Sequence, residues 1–383
     1  MGGGERGMLL KVMPIFGTRP EAIKLAPVIK EIEKHPNEFD LVVAVTAQHR
    51  EMLDQVLRLF DIVPDHDLDI MQAEQSIFAV TSRVLLGLEP LLQQEKPDFV
   101  LVQGDTTTVM AAALAAFYLK IPVGHVEAGL RTYDKFQPFP EEINRRLVSH
   151  IADWHFAPTP SARDNLLREG ISADRIVVTG NTVIDALLAT VRADYIFDHP
   201  LLSQLDFRNR KIILATTHRR ENWGQPIRDI CEAIRSLAGK FPDVEIVYTV
   251  HLNPKVQRVV KMELEGVERV HLLEPLDYEP FVQLMSQCYL ILTDSGGVQE
   301  EAPSLNVPVL VLRNVTERPE GLAAGTLKVV GTDRDVIVRE TERLLTDPAE
   351  YARMANAPNP YGDGRASQRI ADVLARMRHS ISA

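Results

Sequence analysis

Three carboxylates and one histidine follow closely spaced apolar runs in the first half of the chain. Asp105 comes just after the run 99–102, and His125 and Glu127 end the next run, 121–126. Glu141 follows an aromatic, proline-rich loop. In open α/β sheets, ligands bind beyond the carboxyl ends of parallel strands. If these runs are parallel strands, the acids converge on one crevice, where carboxylates can remove and return a proton.

A second group of residues fits the binding of a phosphate. In the segment DSGGVQEEAP, an apolar run delivers Asp294 and Ser295, and Gly296 and Gly297 allow a ligand to approach the backbone closely. A helix predicted to start here has free N–H groups that attract an anion. Glu301 lies about one helical turn further on, where its carboxylate can accept hydrogen bonds from a ribose diol.

Basic residues occur at several predicted strand ends in both halves of the chain. His218 follows one strand in the second half, and Arg318 lies in the segment TERPEG. Charge-assisted hydrogen bonds from such groups to a diphosphate contribute roughly 1.5–3 kcal/mol each. Arg19 and Lys24 follow the first strand and are predicted anion contacts. For each of these residues taken alone, a solvated surface charge is the alternative.

For the remaining candidate residues, a purely structural role is the simpler alternative to a functional one. Gln48 and His49 lie at the end of the second predicted strand, although a single histidine there is more often structural. Glu141 and Arg145 stand four residues apart on one face of a predicted helix. That spacing also suits a surface ion pair that stabilises a helix by only tenths of a kcal/mol.

The elements that position these residues alternate between strand and helix. Predicted strands span residues 9–16, 39–46, 98–103, 121–126, 153–157, 175–179, 211–217, 244–250, 290–293 and 307–312. Such alternation indicates an α/β fold with parallel, doubly wound sheets. The pattern restarts after a loose segment, 197–210, so we expect a domain boundary near it.

The composition restricts the class of protein. A chain of 383 residues exceeds the usual size of one hydrophobic core, so two domains are expected. The net charge of −11 argues against nucleic acid as a partner. Cys231 and Cys288 fit reduced core residues and offer no metal-binding spacing. No apolar run approaches the roughly 20 residues of a membrane span, and we expect a cytoplasmic protein. The glycine-rich segment at residues 2–7 precedes the first strand, so it cannot bind a dinucleotide.

Eleven segments together resemble one enzyme family. In order they are GTRPEAIK, TAQHREM, VQGDTTT, HVEAGLRT, PEEINR, GNTVIDALL, THRREN, VHLNP, LTDSGGVQEEAPSL, TERPEG and NPYGDG. They match the non-hydrolysing, bacterial type of UDP-N-acetylglucosamine 2-epimerase from about residue 11 to residue 372. The resemblance implies two facing Rossmann-like domains, as in glycosyltransferases of the B type, with the active site in the interdomain cleft. We expect the domains at 8–185 and 186–360, and the resemblance implies that a helix at about 364–379 returns to the first.

The resemblance also implies roles for individual residues. Asp105, Glu127 and Glu141 correspond to catalytic acids, and His218 to an essential histidine near the diphosphate. The residues that match UDP and sugar contacts are Arg19, Lys24, Gln48, His49, Arg145, Phe281, Ser295, Gly296, Gly297, Glu301 and Arg318, with Tyr278 and Phe281 near the uracil. Some family members bind substrate as an activator, at positions occupied here by Glu51 and Glu74. Both are acidic, so a strict need for an activator is not expected.

The expected reaction is reversible 2-epimerisation of UDP-N-acetylglucosamine through loss and re-addition of UDP, supplying precursors of cell-envelope polysaccharides. It requires no cofactor and no metal, and a homodimer in the cytoplasm is expected. Three alternatives stay open: a glycosyltransferase of the same fold, a hydrolysing epimerase, and a non-catalytic UDP-sugar sensor. An acceptor groove would favour the glycosyltransferase, and a sugar-kinase domain would favour the hydrolysing epimerase. Loss of the acids would favour the sensor.

Overall fold

The computed structural model describes residues 9–46, 50–70 and 75–381, except for the side chains of residues 50, 51 and 379–381. The chain divides into two compact units. The first contains the described residues up to Ala189 and those from Gly362 onward, and the second is Thr190–Tyr361. No helix in these ranges has both the length and the apolar composition needed to cross a membrane.

The first unit is built on a parallel sheet. Its strands are β1 (Leu10–Phe16), β2 (Phe39–Leu41), β3 (Ala44–Val45), β4 (His66–Asp67), β5 (Phe99–Gln103), β6 (Val123–Val126), β7 (Trp154–Ala157) and β8 (Ile176–Val178). Their order is β4-β3-β1-β5-β6-β7-β8, and β2 also pairs with β1. The single strand predicted at 39–46 is wrong. It is interrupted because the Val43 N–H bonds the Asp65 carboxylate, at 2.8 Å, instead of a strand.

Helices connect these strands and begin with recognisable caps. They are α1 (Arg19–Glu33), α2 (Arg50–Leu59), α3 (Ile77–Glu95), α4 (Thr107–Tyr118), α5 (Glu141–Ile151), α6 (Pro160–Arg168), α7 (Thr182–Thr190) and the last helix of the chain, α15 (Ala366–Ile381). Ser76 and Thr106 each accept a backbone N–H from the first turn of α3 and α4. The Asp185 carboxylate accepts the N–H groups of Ala366 and Ser367, which attaches α15 to α7.

The second unit has its own parallel sheet. The strands are β9 (Lys211–Thr217), β10 (Val244–Val250), β11 (Val270–Leu273), β12 (Leu290–Thr293), β13 (Val309–Val311) and β14 (Leu327–Val329), in the order β11-β10-β9-β12-β13-β14. The helices are α8 (Gln225–Lys240), α9 (Pro254–Leu264), α10 (Tyr278–Gln287), α11 (Gly296–Glu301), α12 (Pro319–Ala324), α13 (Arg334–Thr346) and α14 (Pro348–Ala355). Short 3-10 turns lie at Ala173–Arg175, Leu202–Gln204, Arg220–Asn222 and Ala302–Leu305.

Each unit has a separate hydrophobic core. In the first, β1, β3, β5 and β6 pack against α3 and α4, and in the second, β9, β10 and β12 pack against α8, α9 and α13. Cys231 and Cys288 are buried free thiols, as predicted. Burial raises the pKa of both thiols. The α/β fold with two Rossmann-like domains is confirmed, and the predicted strands other than 39–46 agree with the observed bounds to within two residues.

Each sheet contains one point at which the strand order reverses. The second sheet has the order 3-2-1-4-5-6 of Rossmann folds, and its reversal lies between β9 and β12. The corresponding reversal in the first sheet lies between β1 and β5. Connections leave these neighbouring strands in opposite directions, which opens a crevice at their carboxyl ends. Ligand-binding residues are therefore expected directly after β1, β5, β9 and β12.

Candidate active site

A buried carboxylate joins the loops after β1 and β5. Glu21 accepts the backbone N–H groups of Gly17, at 2.6 Å, and Thr18, at 3.2 Å. It also accepts the Thr106 hydroxyl at 2.5 Å. Burial raises the pKa of Glu21, and these hydrogen bonds oppose the increase. The two loops at the reversal point of the first sheet are thereby fixed to one another.

Asp105 lies in the loop after β5, where Gly104 has a φ of +85°. Arg145, from α5, donates its Nε–H to Asp105 Oδ2 at 2.8 Å. The neighbouring Asn144 donates to the main-chain carbonyl of Asp105, also at 2.8 Å. The Asp105 side chain keeps 28% of its surface exposed. It is therefore firmly oriented and still accessible to a ligand.

Glu127, directly after β6, is surrounded by hydrogen-bond donors. It has a φ of +66°, which is uncommon for a residue other than glycine and a feature that tends to occur at functional sites. Its carboxylate accepts Lys24 Nζ at 2.5 and 2.7 Å, Gln103 Nε2 at 2.5 Å and Asn181 Nδ2 at 3.0 Å. A methyl group at position 104 would lie 3.9 Å from Glu127 Oε2, so the Asp105 loop runs beside this carboxylate.

Three of these partners add to what the sequence predicts. Lys24, predicted to contact an anion, forms an ion pair with Glu127. Gln103 and Asn181 were not identified in the sequence as site residues. Gln103 is the last residue of β5, one position before Gly104, and Asn181 lies in the segment GNTVIDALL. The resemblance of that segment to the family is the feature of the sequence that could have identified Asn181.

Glu141 is the first residue of α5 and differs from the other acids. Its Oε2 is buried and has no hydrogen-bond partner in the described part of the chain. Arg145, one turn further on, bonds Asp105 and lies 3.2 Å from Glu142 Oε2. The contacts of Arg145 therefore do not support the alternative in which Glu141 and Arg145 form a helix ion pair. Glu142 instead accepts the Thr132 N–H, which attaches the preceding loop to α5.

In the second unit, Asp294 joins the loops after β12 and β9. Its carboxylate accepts the His218 N–H at 3.0 and 3.1 Å, the Arg219 N–H at 3.0 Å and Asn222 Nδ2 at 2.8 Å. His218 Nδ1 lies 3.0 Å from Asp294 Oδ1. Burial acts to raise the pKa of Asp294, but the hydrogen bonds from His218 and Arg219 hold it below the usual value. The partly exposed imidazole is oriented by Nδ1, which leaves Nε2 for a ligand.

Two guanidinium groups gather at the start of α11. A Cβ at Gly296 would lie 3.3 Å from Arg318 Nη2 and 3.7 Å from Arg219 Nη2. Arg318 Nε is 2.5 Å from Glu300 Oε1, which fixes the side chain. Ser295 precedes the helix, and within the described residues its hydroxyl makes no capping hydrogen bond. Together with His218, these groups can neutralise a bound anion.

Two further predicted contacts, Tyr278 and Gly297, lie next to Glu301 in the second unit. The Tyr278 hydroxyl donates to Glu301 Oε1 at 3.0 Å. Gly297 lies one turn before Glu301 on α11, and a Cβ there would be 3.7 Å from Glu301 Oε2. Phe281 on α10 and Arg19 at the start of α1 are partly exposed.

Three of the predicted positions, and the side chain of a fourth, fall outside the part of the chain that the structure describes. Gln48, His49 and Glu74 lie outside the described residues, as does the side chain of Glu51. The expectation about the activator therefore stays a prediction. Across residues 9–46, 50–70 and 75–381, no group of three or more His, Cys, Asp or Glu side chains is arranged to hold a metal ion.

Comparison with known proteins assigns the family. Residues 30–375 match the family model described as UDP-N-acetylglucosamine 2-epimerase. The Bacillus subtilis UDP-N-acetylglucosamine 2-epimerase is 57% identical over 365 residues, covering 95% of each chain. The Neisseria meningitidis UDP-GlcNAc 2-epimerase bound to UDP-GlcNAc has a TM-score of 0.85 at 51% identity, covering 96% of this chain and 100% of that one. Staphylococcus aureus MnaA with UDP has a TM-score of 0.86 at 48% identity, covering 97% of both. The chain is therefore an enzyme of the UDP-N-acetylglucosamine 2-epimerase family.

Proposed function

We propose that the enzyme interconverts UDP-N-acetylglucosamine and UDP-N-acetylmannosamine by removing UDP from the sugar and adding it back. The observation that carries this proposal is a group of candidate functional side chains in each unit. The loops after β5 and β6 carry the carboxylates Asp105 and Glu127, and the second unit holds His218, Arg219 and Arg318 near the ends of β9 and β12. In this proposal the acids act on the sugar and the cations bind the diphosphate.

The chemistry of the sugar favours elimination over direct deprotonation. The C2–H bond is not adjacent to a carbonyl group, so its proton is not acidic. If a carboxylate takes the C2 proton as UDP leaves C1, the electrons of the C2–H bond form the C1–C2 double bond, and the C1–O electron pair departs with the β-phosphate. The products are UDP and 2-acetamidoglucal. In the second half, a proton adds to the opposite face of C2 and a UDP oxygen adds to C1.

The cations of the second unit would stabilise the departing UDP. Charge develops on the β-phosphate as the C1–O bond breaks, and donors already in place stabilise it without reorganisation. The Nε2 of His218 is left for this purpose because Asp294 accepts from Nδ1. Arg219 and Arg318 lie at the glycine where the phosphate can approach the backbone. Tyr278 and Phe281 would bind the uracil, and Glu301 the ribose.

The acids of the first unit would transfer the proton. We assign the acid and base roles to Asp105 and Glu141, since delivery to the opposite face of C2 requires a group on each side. Asp105 is accessible, and Glu141 has a buried oxygen with no partner among the described residues. Glu127 already accepts four hydrogen bonds from Lys24, Gln103 and Asn181. That saturation favours a positioning role for Glu127.

One assay separates this function from its alternatives. Purified enzyme is incubated with UDP-N-acetylglucosamine, and UDP, free N-acetylmannosamine and both nucleotide sugars are quantified by chromatography. The proposal predicts an equilibrium mixture of the two nucleotide sugars with little free sugar. Stoichiometric UDP with free N-acetylmannosamine would indicate a hydrolysing epimerase. Conversion only when a sugar acceptor is added would indicate a glycosyltransferase, and binding without conversion would indicate a sensor.

We further propose a cytoplasmic homodimer that supplies precursors for cell-envelope polysaccharides. Exposed apolar side chains on α3 and α4 support pairing with a second copy: Phe78 is 86% exposed, Leu86 69% and Phe117 57%. The two free thiols fit a reducing compartment. Sedimentation of the wild type and of a Phe78→Glu, Leu86→Glu variant tests the dimer. A wild-type monomer at micromolar concentration would refute it.

A further inference from the structure

A buried histidine on β6 holds the loop that carries Asp105. His125 has no exposed surface, and its Nε2 lies 2.7 Å from the carbonyl oxygen of Gly104. A carbonyl oxygen can only accept, so Nε2 must be the protonated nitrogen. The other nitrogen, Nδ1, is buried and has no partner in the described part of the chain. The imidazole therefore makes one directed hydrogen bond, to the residue that precedes Asp105.

Because it is made to the peptide group before Asp105, that hydrogen bond affects the orientation of Asp105. The Gly104 carbonyl and the Asp105 N–H belong to one peptide plane, which is rigid. Gly104 has a φ of +85°, in a region that glycine visits about as readily as the negative region. The side chain of Asn144 donates to the main-chain carbonyl of Asp105, and the Thr106 hydroxyl donates to Glu21. Each neighbouring part of the loop therefore has its own hydrogen-bond partner. The His125 bond fixes the peptide plane that sets the direction of the Asp105 side chain.

We propose that His125 is a positioning residue for Asp105, acting through the Gly104 carbonyl to hold the carboxylate in the orientation that proton transfer requires. The proposal rests on the proposed acid–base role of Asp105. A displacement of about 1 Å in a reacting group can reduce turnover about 100-fold. Separately, burial lowers the pKa of His125 to about 4, so the ring is a neutral donor near pH 7.

His155 provides a matched control. It lies directly opposite His125 in the register of β6 and β7, and it is also buried. Its Nδ1, like that of His125, has no hydrogen-bond partner among the described residues. The contacts described for His155 include no hydrogen bond to the Asp105 loop. Replacing it therefore perturbs the same layer of the core and leaves the Gly104 carbonyl untouched.

The test compares His125→Leu, His125→Gln and His155→Leu in the full-length enzyme, with kcat, KM, UDP affinity and melting temperature measured for each. His125→Leu should lower kcat about 10- to 100-fold, with KM and UDP affinity changed by less than about twofold. Glutamine places an N–H donor close to the position of imidazole Nε2, so His125→Gln should recover most of kcat. His155→Leu should keep kcat within about twofold of the wild type.

Several outcomes would overturn the proposal. Equal losses in His125→Leu and His155→Leu would show only a packing effect, and a His125→Gln variant as slow as His125→Leu would exclude the hydrogen bond. Nitrogen-15 NMR of the histidine-labelled wild type gives a test that needs no variant: protonation at Nδ1 instead of Nε2 contradicts the geometry. Asp105→Asn distinguishes a failure of the proposed catalytic role of Asp105 from a failure of the positioning role of His125. Near-normal turnover there refutes the assigned role of Asp105 and this proposal with it, whereas a slow Asp105→Asn beside a normal His125→Leu refutes the positioning role alone.

Discussion

Asp294 holds His218 through both its main chain and its ring, with the carboxylate 3.0 Å from the His218 nitrogen atoms N and Nδ1. The two residues follow β12 and β9, the neighbouring strands between which the order of the second sheet reverses. Glu21 and Thr106 make the equivalent connection after β1 and β5 in the first sheet, at 2.5 Å. In both units, a buried carboxylate thus joins the two loops where an α/β sheet binds its ligand.

The first prediction concerns this carboxylate. Asp294→Asn removes the charge that orients His218 and should lower kcat by about 10² to 10⁴, as expected when the group that fixes a catalytic histidine's tautomer is lost. Asp335→Asn, at an exposed site on α13, is the control and should be neutral. Steady-state rates with melting curves check both. A fully active Asp294→Asn enzyme would show that the pair has no role in turnover.

The second prediction concerns the proton-transfer groups. Asp105→Asn and Glu141→Gln keep the side-chain shape but remove the acid, so each should lower kcat by about 10² to 10⁴. UDP affinity, measured by calorimetry, should be unchanged because the proposed diphosphate contacts lie in the second unit. Glu232→Gln on the exposed face of α8 is the control. Turnover within about threefold of the wild type in either test variant would remove that residue from the mechanism.

The third prediction concerns the diphosphate. Arg318→Ala removes a guanidinium beside Gly296 and should weaken UDP binding by about 10- to 100-fold, the equivalent of roughly 1.5–3 kcal/mol. Arg318→Lys should recover only part of this affinity, because lysine lacks the planar pair of donors. Arg353→Ala, on an exposed face of α14, serves as the control. Unchanged UDP affinity in Arg318→Ala would exclude the assigned contact.

The fourth prediction concerns stability in acid. Burial lowers the pKa of His125 to about 4 and of His155 to about 3, from 6.5 in the unfolded chain. Above pH 6.5 both histidines are neutral in the folded and unfolded states, so they do not affect the free energy of unfolding. Below pH 6.5 the unfolded state binds more protons than the folded state, so the free energy of unfolding decreases as the pH falls toward 4. At about 1.4 kcal/mol per pKa unit, each histidine accounts for a few kcal/mol.

Urea unfolding at pH 7.5 and pH 5 measures the part of this loss that occurs above pH 5. Glu21 and Asp185 oppose it, since burial raises the pKa of each carboxyl and their contribution is greatest at low pH. The difference between the wild type and His155→Leu isolates the histidine. The variant should lose less stability than the wild type between the two pH values. An equal loss in both proteins would mean that His155 does not contribute.

Much of this arrangement follows from local patterns in the sequence. Asp105, Glu127, His218 and Asp294 each follow an apolar run that forms a strand, and strand ends in parallel sheets share one edge. The cores depend on the same alternation of apolar runs and amphipathic segments. For these reasons the fold class and the residues directly after β5, β6, β9 and β12 could be predicted.

Other features depend on contacts that no local pattern reveals. Asn181 reaches Glu127 across 54 positions of sequence, and Asp65 interrupts a predicted strand at Val43 from 22 positions away. The pairing of Arg145 with Asp105 instead of Glu141 is set by the packing of α5 beside the β5 loop. β4, β11 and β14 were not predicted because they have only two to four residues and are partly exposed.

The elimination of UDP is the central claim, and isotope incorporation at C2 tests it most directly. UDP-N-acetylglucosamine is epimerised in heavy water, and the product is analysed by mass spectrometry and proton NMR. If a carboxylic acid that exchanges with solvent returns the proton, UDP-N-acetylmannosamine carries deuterium at C2, and long incubation releases UDP and 2-acetamidoglucal. Product that retains hydrogen at C2, with no trace of the glucal, would contradict the account.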